Sequence, residues 1–191
     1  RRIDALTSRT LLLLLYATGL RISEALNLNL ADVDLNDRVL YVRESKFYKT
    51  RLVPIGTDLT QVLREYALRR YKRSPLDPDS PFLLTSRGER VSRAGAEQAF
   101  HQMRSQAKVC RHDGARYQPR LHDLRHTAAV TRLVRWYRDG VDVQRMLPQL
   151  ATYLGHVNIS GTQCYLSMTP ELLQQASARF EQFFLEETSH A

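Results

Sequence analysis

Residues 17–24 read Ala17-Thr18-Gly19-Leu20-Arg21-Ile22-Ser23-Glu24, and the local fold turns on them. Upstream, Leu11 to Leu15 with Tyr16 and Ala17 form an apolar run. Thr7 is read as the cap of a helix through about Thr18, which Gly19 stops. A second short helix, Ile22 to Leu28, follows at once. The apolar run is far short of the roughly 20 residues that span a bilayer. It also lacks the small-residue cleavage site of a signal peptide, so it reads as a buried helix. Arg21 then stands at a helix start, where a cation opposes the helix macrodipole and needs a partner. An anion shared with free backbone N–H groups would supply one. Pairing with Glu24 would supply another, and both hold if Glu24 orients Arg21.

Working outward, Val39 to Arg43 and Leu52 to Ile55 alternate and are rich in β-branched residues, predicting a hairpin around Ser45 to Thr50. Asp58 to Tyr71 has helical spacing and closes on a basic cluster. Ser74 to Pro81 is a proline-rich connection. Helices are expected at Ser92 to Val109, Asp123 to Tyr137, Asp142 to Leu154 and Ile159 to Leu166. A last helix starts with Thr169 as cap and Pro170 at the first helical position. The fold class is α+β, mostly α-helical with one small antiparallel β-sheet. At 191 residues the chain can bury a substantial core as one domain, or one domain with a small appendage.

The net charge of +8, from 28 basic and 20 acidic residues, favours a polyanionic partner. Cys110 and Cys164 are the two cysteines and lack Cys-x-x-Cys spacing, so neither a disulfide framework nor a zinc knuckle is signalled. A reducing cytoplasm fits. The chain begins at Arg1 rather than Met, which is read as a fragment or trimmed protein.

Several dispersed polar residues suit attack on a phosphodiester. A tyrosine hydroxyl, with an ordinary pKa of about 10, is a poor nucleophile unless nearby cations stabilise the phenolate. Tyr165 is one of nine tyrosines, and its place nine residues after His156 in Leu-Gly-His singles it out. His122 and Arg125 sit three apart, which puts them side by side on one helix face. A guanidinium holds two phosphate oxygens in a planar fork, and an imidazole passes protons near neutral pH. His122 and His126 also share the i, i+4 spacing of a zinc site, although Asp123 stands where a glutamate would and Arg125 would set a positive charge beside the metal. Lys46 and Lys49 lie in the predicted hairpin turn, within reach of a leaving oxygen. His156 follows Gly155 at a helix end, where it can also act as a cap.

In combination and order these motifs resemble the catalytic domain of the tyrosine recombinases, the phage and transposon integrases and their chromosome-resolving relatives. The resemblance runs from Ala17 to Tyr165 through the first arginine box, a lysine turn leading into Arg51-Leu52-Val53-Pro54, the His-x-x-Arg box and Leu-Gly-His. It implies an active site of Arg21, Lys46, His122, Arg125, His156 and Tyr165. Tyr165 would attack the scissile phosphate of double-stranded DNA, forming a 3′-phosphotyrosyl bond and releasing a 5′-hydroxyl. The arginines would hold the non-bridging oxygens, Lys46 would protonate the leaving oxygen, and the histidines would assist proton transfer. No cofactor is expected, since neither Mg²⁺ nor ATP is required. The resemblance further implies a homo-oligomer, a tetramer on paired DNA sites, in the cytoplasm. It places the whole chain in a single catalytic domain, with the family's N-terminal DNA-binding domain outside it.

Two departures stand out. The family's lysine turn is glycine-rich, whereas Ser45, Phe47 and Tyr48 flank Lys46 here, which makes Lys49 a substitute candidate. The stretch from His122 to His156 is long, with Trp136 to Gly140 and Pro148 inside it. Arg43, Arg87, Arg90 and Arg93 are candidate phosphate contacts. In the final helix Leu172, Ala176, Phe180 and Phe184 share a stripe that either folds back or is exchanged between protomers. If exchanged, deletion of residues 170–191 is expected to weaken assembly on paired DNA sites. Alternative functions are a type IB topoisomerase, a non-catalytic DNA-binding accessory module and, third, a zinc hydrolase.

Overall fold

The computed structural model describes residues 3–45, 49–71, 77–167, 174 and 177. Two compact units make up the chain, one up to Arg125 and one from His126 onward. In the first unit, α1 (Ala5–Thr18) begins one turn before Thr7, because Asp4 Oδ1 accepts the Thr7 N–H at 2.7 Å and caps the helix. Thr7 turns inward instead and donates to Leu84 O at 3.0 Å. Leu11, Leu14 and Leu15 are buried as α1 packs on α3 (Thr57–Tyr71). α1 ends at Gly19 with φ 63°, a left-handed conformation that glycine adopts without strain. α2 (Ile22–Asn27) follows.

Three antiparallel strands, β1 (Val33–Asp34), β2 (Val39–Ser45) and β3 (Lys49–Pro54), lie in that order. Leu40 opposes Val53 and Val42 opposes Arg51, so Leu40, Val42 and Val53 share the buried face while Leu52 points outward. Arg51 therefore occupies an inward position.

The basic end of α3 is partly structural. Arg70 is buried, and its guanidinium donates to the carbonyls of Pro81 and Phe82 and to Ser80 Oγ. It thereby closes the described part of the proline-rich connection, residues 77–81, against the helix. α4 (Arg93–Gln106) starts at its Ser92 cap and ends three residues before the expected Val109.

α5 (Asp123–Arg138) opens in the first unit and continues into the second. There Ala129 and Leu133 of α5 bury against Val143, Leu147, Leu150 and Leu154 of α6 (Val143–Leu154). The stretch between His122 and His156 is mostly regular structure, α5 and α6. Trp136 and Tyr137 pack against this core from the end of α5, and Gly140 turns the chain with φ 70°. Pro148 sits inside α6. The helix expected over Ile159 to Leu166 is a short α7 (Ser160–Gln163) tightening into a 3₁₀ turn at Cys164–Ser167. No helix among the described residues is long and apolar enough to cross a membrane. The expected final helix from Thr169 falls almost wholly outside the described residues.

Candidate active site

The first unit carries three of the expected residues around the Gly19 turn. Thr18 donates to Leu14 O at 2.6 Å, Leu20 is buried, and the chain reverses so that Arg21 becomes the N-cap of α2. Glu24 claims Arg21 twice: Oε2 accepts its backbone N–H at 2.9 Å and Oε1 its Nη1 at 2.7 Å. Of the two sequence readings of Arg21, pairing with Glu24 is thus present. The same carboxylate receives the fork of Arg51 at 3.0 and 2.8 Å. Burial pushes the Glu24 carboxyl up, but the Arg51 bonds and charge, together with Arg21, outweigh it and hold the carboxyl below its ordinary value. One buried carboxylate thus binds two guanidiniums at this corner.

Arg125 reaches the same corner from the first turn of α5. It is 3% exposed, and its Nη1 donates to Gly19 O at 2.6 Å, across 106 residues of sequence. The carbonyl it holds belongs to the residue two before Arg21. His122 stands one residue before α5, three ahead of Arg125. It lies in the turn ahead of α5, exposed, with its carbonyl accepting the Arg125 N–H at 3.1 Å. His122 and Ile22 line one cavity of about 500 Å³ together with Phe100, His101 and Arg104. The first unit thus brings Arg21, Arg125 and His122 to one neighbourhood.

The second unit holds His156 and Tyr165. Gly155 ends α6 with φ 70°, and His156 N–H returns to Ala151 O at 2.9 Å. The His156 ring lies 6.1 Å from the Tyr165 ring at 26°. The His126 ring also meets Tyr165 edge-on, at 5.4 Å. His156 Nδ1 is 2.7 Å from the hydroxyl of Thr162. Tyr165 itself is 3% exposed and packs into the α5–α6 core. Its pairing with His156 is therefore built by a single segment, α7 and the turn after it.

Lys46 lies outside the described residues, as does the side chain of Lys49 at the start of β3. Of the four arginines read as phosphate contacts, Arg43 pairs with Asp32 and Arg93 with Glu97. Arg90 is a strut: its guanidinium donates to Leu26 O at 2.8 Å and Asn29 Oδ1 at 2.6 Å. For Arg87 the ordered contact is its backbone N–H on Thr85 Oγ1. Among the described residues, no three His, Cys, Asp or Glu side chains cluster so as to hold a metal ion.

Sequence reasoning gave no role to Arg51 or Thr162 and weighed His126 only as a zinc ligand. Arg51 had a signal, since a charge on the inward face of a strand requires a buried partner. Thr162 had none beyond lying between His156 and Tyr165.

The model of the phage integrase family matches residues 2–171. A putative integrase/recombinase of Sinorhizobium fredii is 44% identical over 169 residues, covering 88% of this chain and 54% of that protein. The tyrosine recombinase XerA of Pyrococcus furiosus is 33% identical, covering 92% and 55%. The chain thus spans about half the length of these curated relatives. In fold it is similar to the crystal structure of XerA recombinase, with TM-score 0.70, 21% identity and coverage of 94% of this chain and 63% of that one. It is likewise similar to the Tn1549 transposon integrase in complex with a circular intermediate DNA, with TM-score 0.67, 22% identity and coverage of 91% and 57%. On the family match and these relatives, the chain belongs to the phage integrase family, whose members include the tyrosine recombinases.

Proposed function

We propose that this chain is the catalytic portion of a site-specific DNA recombinase that cuts and rejoins duplex DNA through a 3′-phosphotyrosyl intermediate. The observation that carries the reading is the corner at Gly19, where Arg125 and the Arg21–Glu24–Arg51 cluster concentrate positive charge. Tyr165 Oη attacks phosphorus, the bond to the 5′ oxygen breaks, and the phenolic proton leaves to a base. Arg21 and Arg125 hold the non-bridging oxygens as charge grows on the phosphorane, each contact worth about 3 kcal/mol in the transition state. Lys46, or Lys49 in its place, protonates the departing 5′ oxygen. His122 and His156 carry protons and donate to the phosphate. The phosphotyrosine conserves the bond energy, so a 5′-hydroxyl from another strand reverses the step, and religation to a new partner is recombination.

Tyr165 is covered in the described state, so attack requires the turn that follows α7 to bring the phenol out of the second unit's core. Two copies on each of two DNA sites, a tetramer, would perform the exchange, and a duplex substrate puts the protein in the cytoplasm. A nicked duplex that releases its cleaved end traps the intermediate. Incubated in EDTA, the chain should form a denaturation-resistant adduct with this DNA, and Tyr165→Phe should form none. An adduct that persists in Tyr165→Phe, or that requires a divalent metal, would overturn the proposal. Supercoil relaxation without strand exchange would point to a topoisomerase instead.

A further inference from the structure

The segment between His156 and Tyr165 is closed on itself by one side-chain bond. Thr162 is fully buried, at 0% exposure, and its Oγ1 lies 2.7 Å from His156 Nδ1. Its backbone N–H donates to Ile159 O at 2.8 Å, which anchors the residue in the first turn of α7. The imidazole lies against the same turn, since a methyl group built on Gly161 would touch its Cγ at 3.4 Å and Nδ1 at 3.5 Å. The same ring stacks with the Tyr165 ring at 6.1 Å. A neutral imidazole has two tautomers, and the bond at one nitrogen decides which nitrogen bears the proton. A hydroxyl can donate to a bare Nδ1 or accept from a protonated one, so it serves both charge states of the ring.

We propose that Thr162 is a positioning residue for His156: its buried hydroxyl donates to Nδ1 and keeps the proton on Nε2, the nitrogen through which His156 donates to a non-bridging phosphate oxygen. This rests on the cleavage reading above. Thr162 stands three residues before Tyr165, so the same bond ties the orientation of the imidazole to the segment that carries the phenol. When the ring is protonated the hydroxyl turns over and accepts, and the geometry is retained. Substitution by valine preserves shape and burial but removes the oxygen, leaving the ring free to take the other tautomer.

The test compares single-turnover adduct formation on nicked duplex DNA by the full chain and its variants. Thr162→Val should slow adduct formation about tenfold, the effect of roughly 1.4 kcal/mol in a barrier, with DNA affinity unchanged. Thr162→Ser, which restores the hydroxyl, should stay within about threefold of the parent. In a His156→Ala background Thr162→Val should have no further effect. Parental rates in Thr162→Val, or equal slowing with and without His156, would overturn the inference. If Tyr165→Phe still forms the adduct, the cleavage reading itself fails; if it forms none while Thr162→Val is unimpaired, only the role of Thr162 fails. Should the valine variant not fold, ¹⁵N shifts of the His156 ring in the unaltered chain decide the matter. A neutral ring protonated at Nε2 supports the assignment, and one protonated at Nδ1 refutes it.

Discussion

Glu24 shows how a single residue can organise a catalytic corner. Its carboxylate is buried, and burial alone would favour the neutral acid; two guanidiniums reverse that preference. The consequence for pH follows from the direction of the shift. A carboxyl held below its ordinary value of 4.5 stabilises the fold above that pH, and the contribution is lost as pH falls through the folded-state value. Denaturant unfolding should therefore show the parent losing stability below about pH 4.5, with a shallower loss in Glu24→Gln. Equal acid slopes in the two proteins would contradict this account. Arg51→Met at neutral pH should cost about 2 to 3 kcal/mol, less than the full penalty for orphaning a buried charge because Arg21 remains. Urea titration measures it. An unchanged midpoint would show that the Arg51 fork contributes little.

Among the elements, helix ends do much of the positioning. Gly19 and Gly155 both close helices in the left-handed conformation, and each is followed within two residues by a candidate catalytic side chain, Arg21 or His156. Gly155→Ala should cost about 1 kcal/mol by forcing a Cβ into that conformation. It should also slow adduct formation by displacing His156. A thermal melt and a cleavage assay on the same sample check both, and a variant as stable and as active as the parent would sink the prediction. Tyr165→Phe is expected to behave differently. The ring stays in the α5–α6 core, so the melting temperature should fall within about 2 °C of the parent while cleavage disappears. A large drop in stability would mean that the hydroxyl, rather than the ring, holds the segment in place.

At the scale of the molecule, charge leads to a measurable property. With a net charge of +8 and a duplex as proposed substrate, binding should weaken linearly on a log–log plot against salt. Five phosphate contacts would give a slope of about −4.5. A slope near zero in a fluorescence-anisotropy titration would remove backbone contacts from the reading. Most of the elements were readable before any coordinates, because starts and stops are local events. Ser92 and Asp142 cap their helices, Gly19 and Gly155 end theirs, and alternation separates Leu52 from Val53. The cap at Asp4 was missed because Thr7 offers the same chemistry one turn later, and its hydroxyl is drawn instead to Leu84. The sequence by itself determined the family, through the order of its motifs, and the helix ends at Gly19 and Gly155, which depend on residues within a turn or two of each other. Only the tertiary structure decided the partners. Arg125 meets a carbonyl 106 residues away, Arg51 shares an anion with Arg21, and buried Tyr165 contacts two imidazole rings. A buried charge or phenol takes whatever partner the folded backbone brings within about 3 to 5 Å, and that proximity is a property of packing which no spacing along the chain encodes.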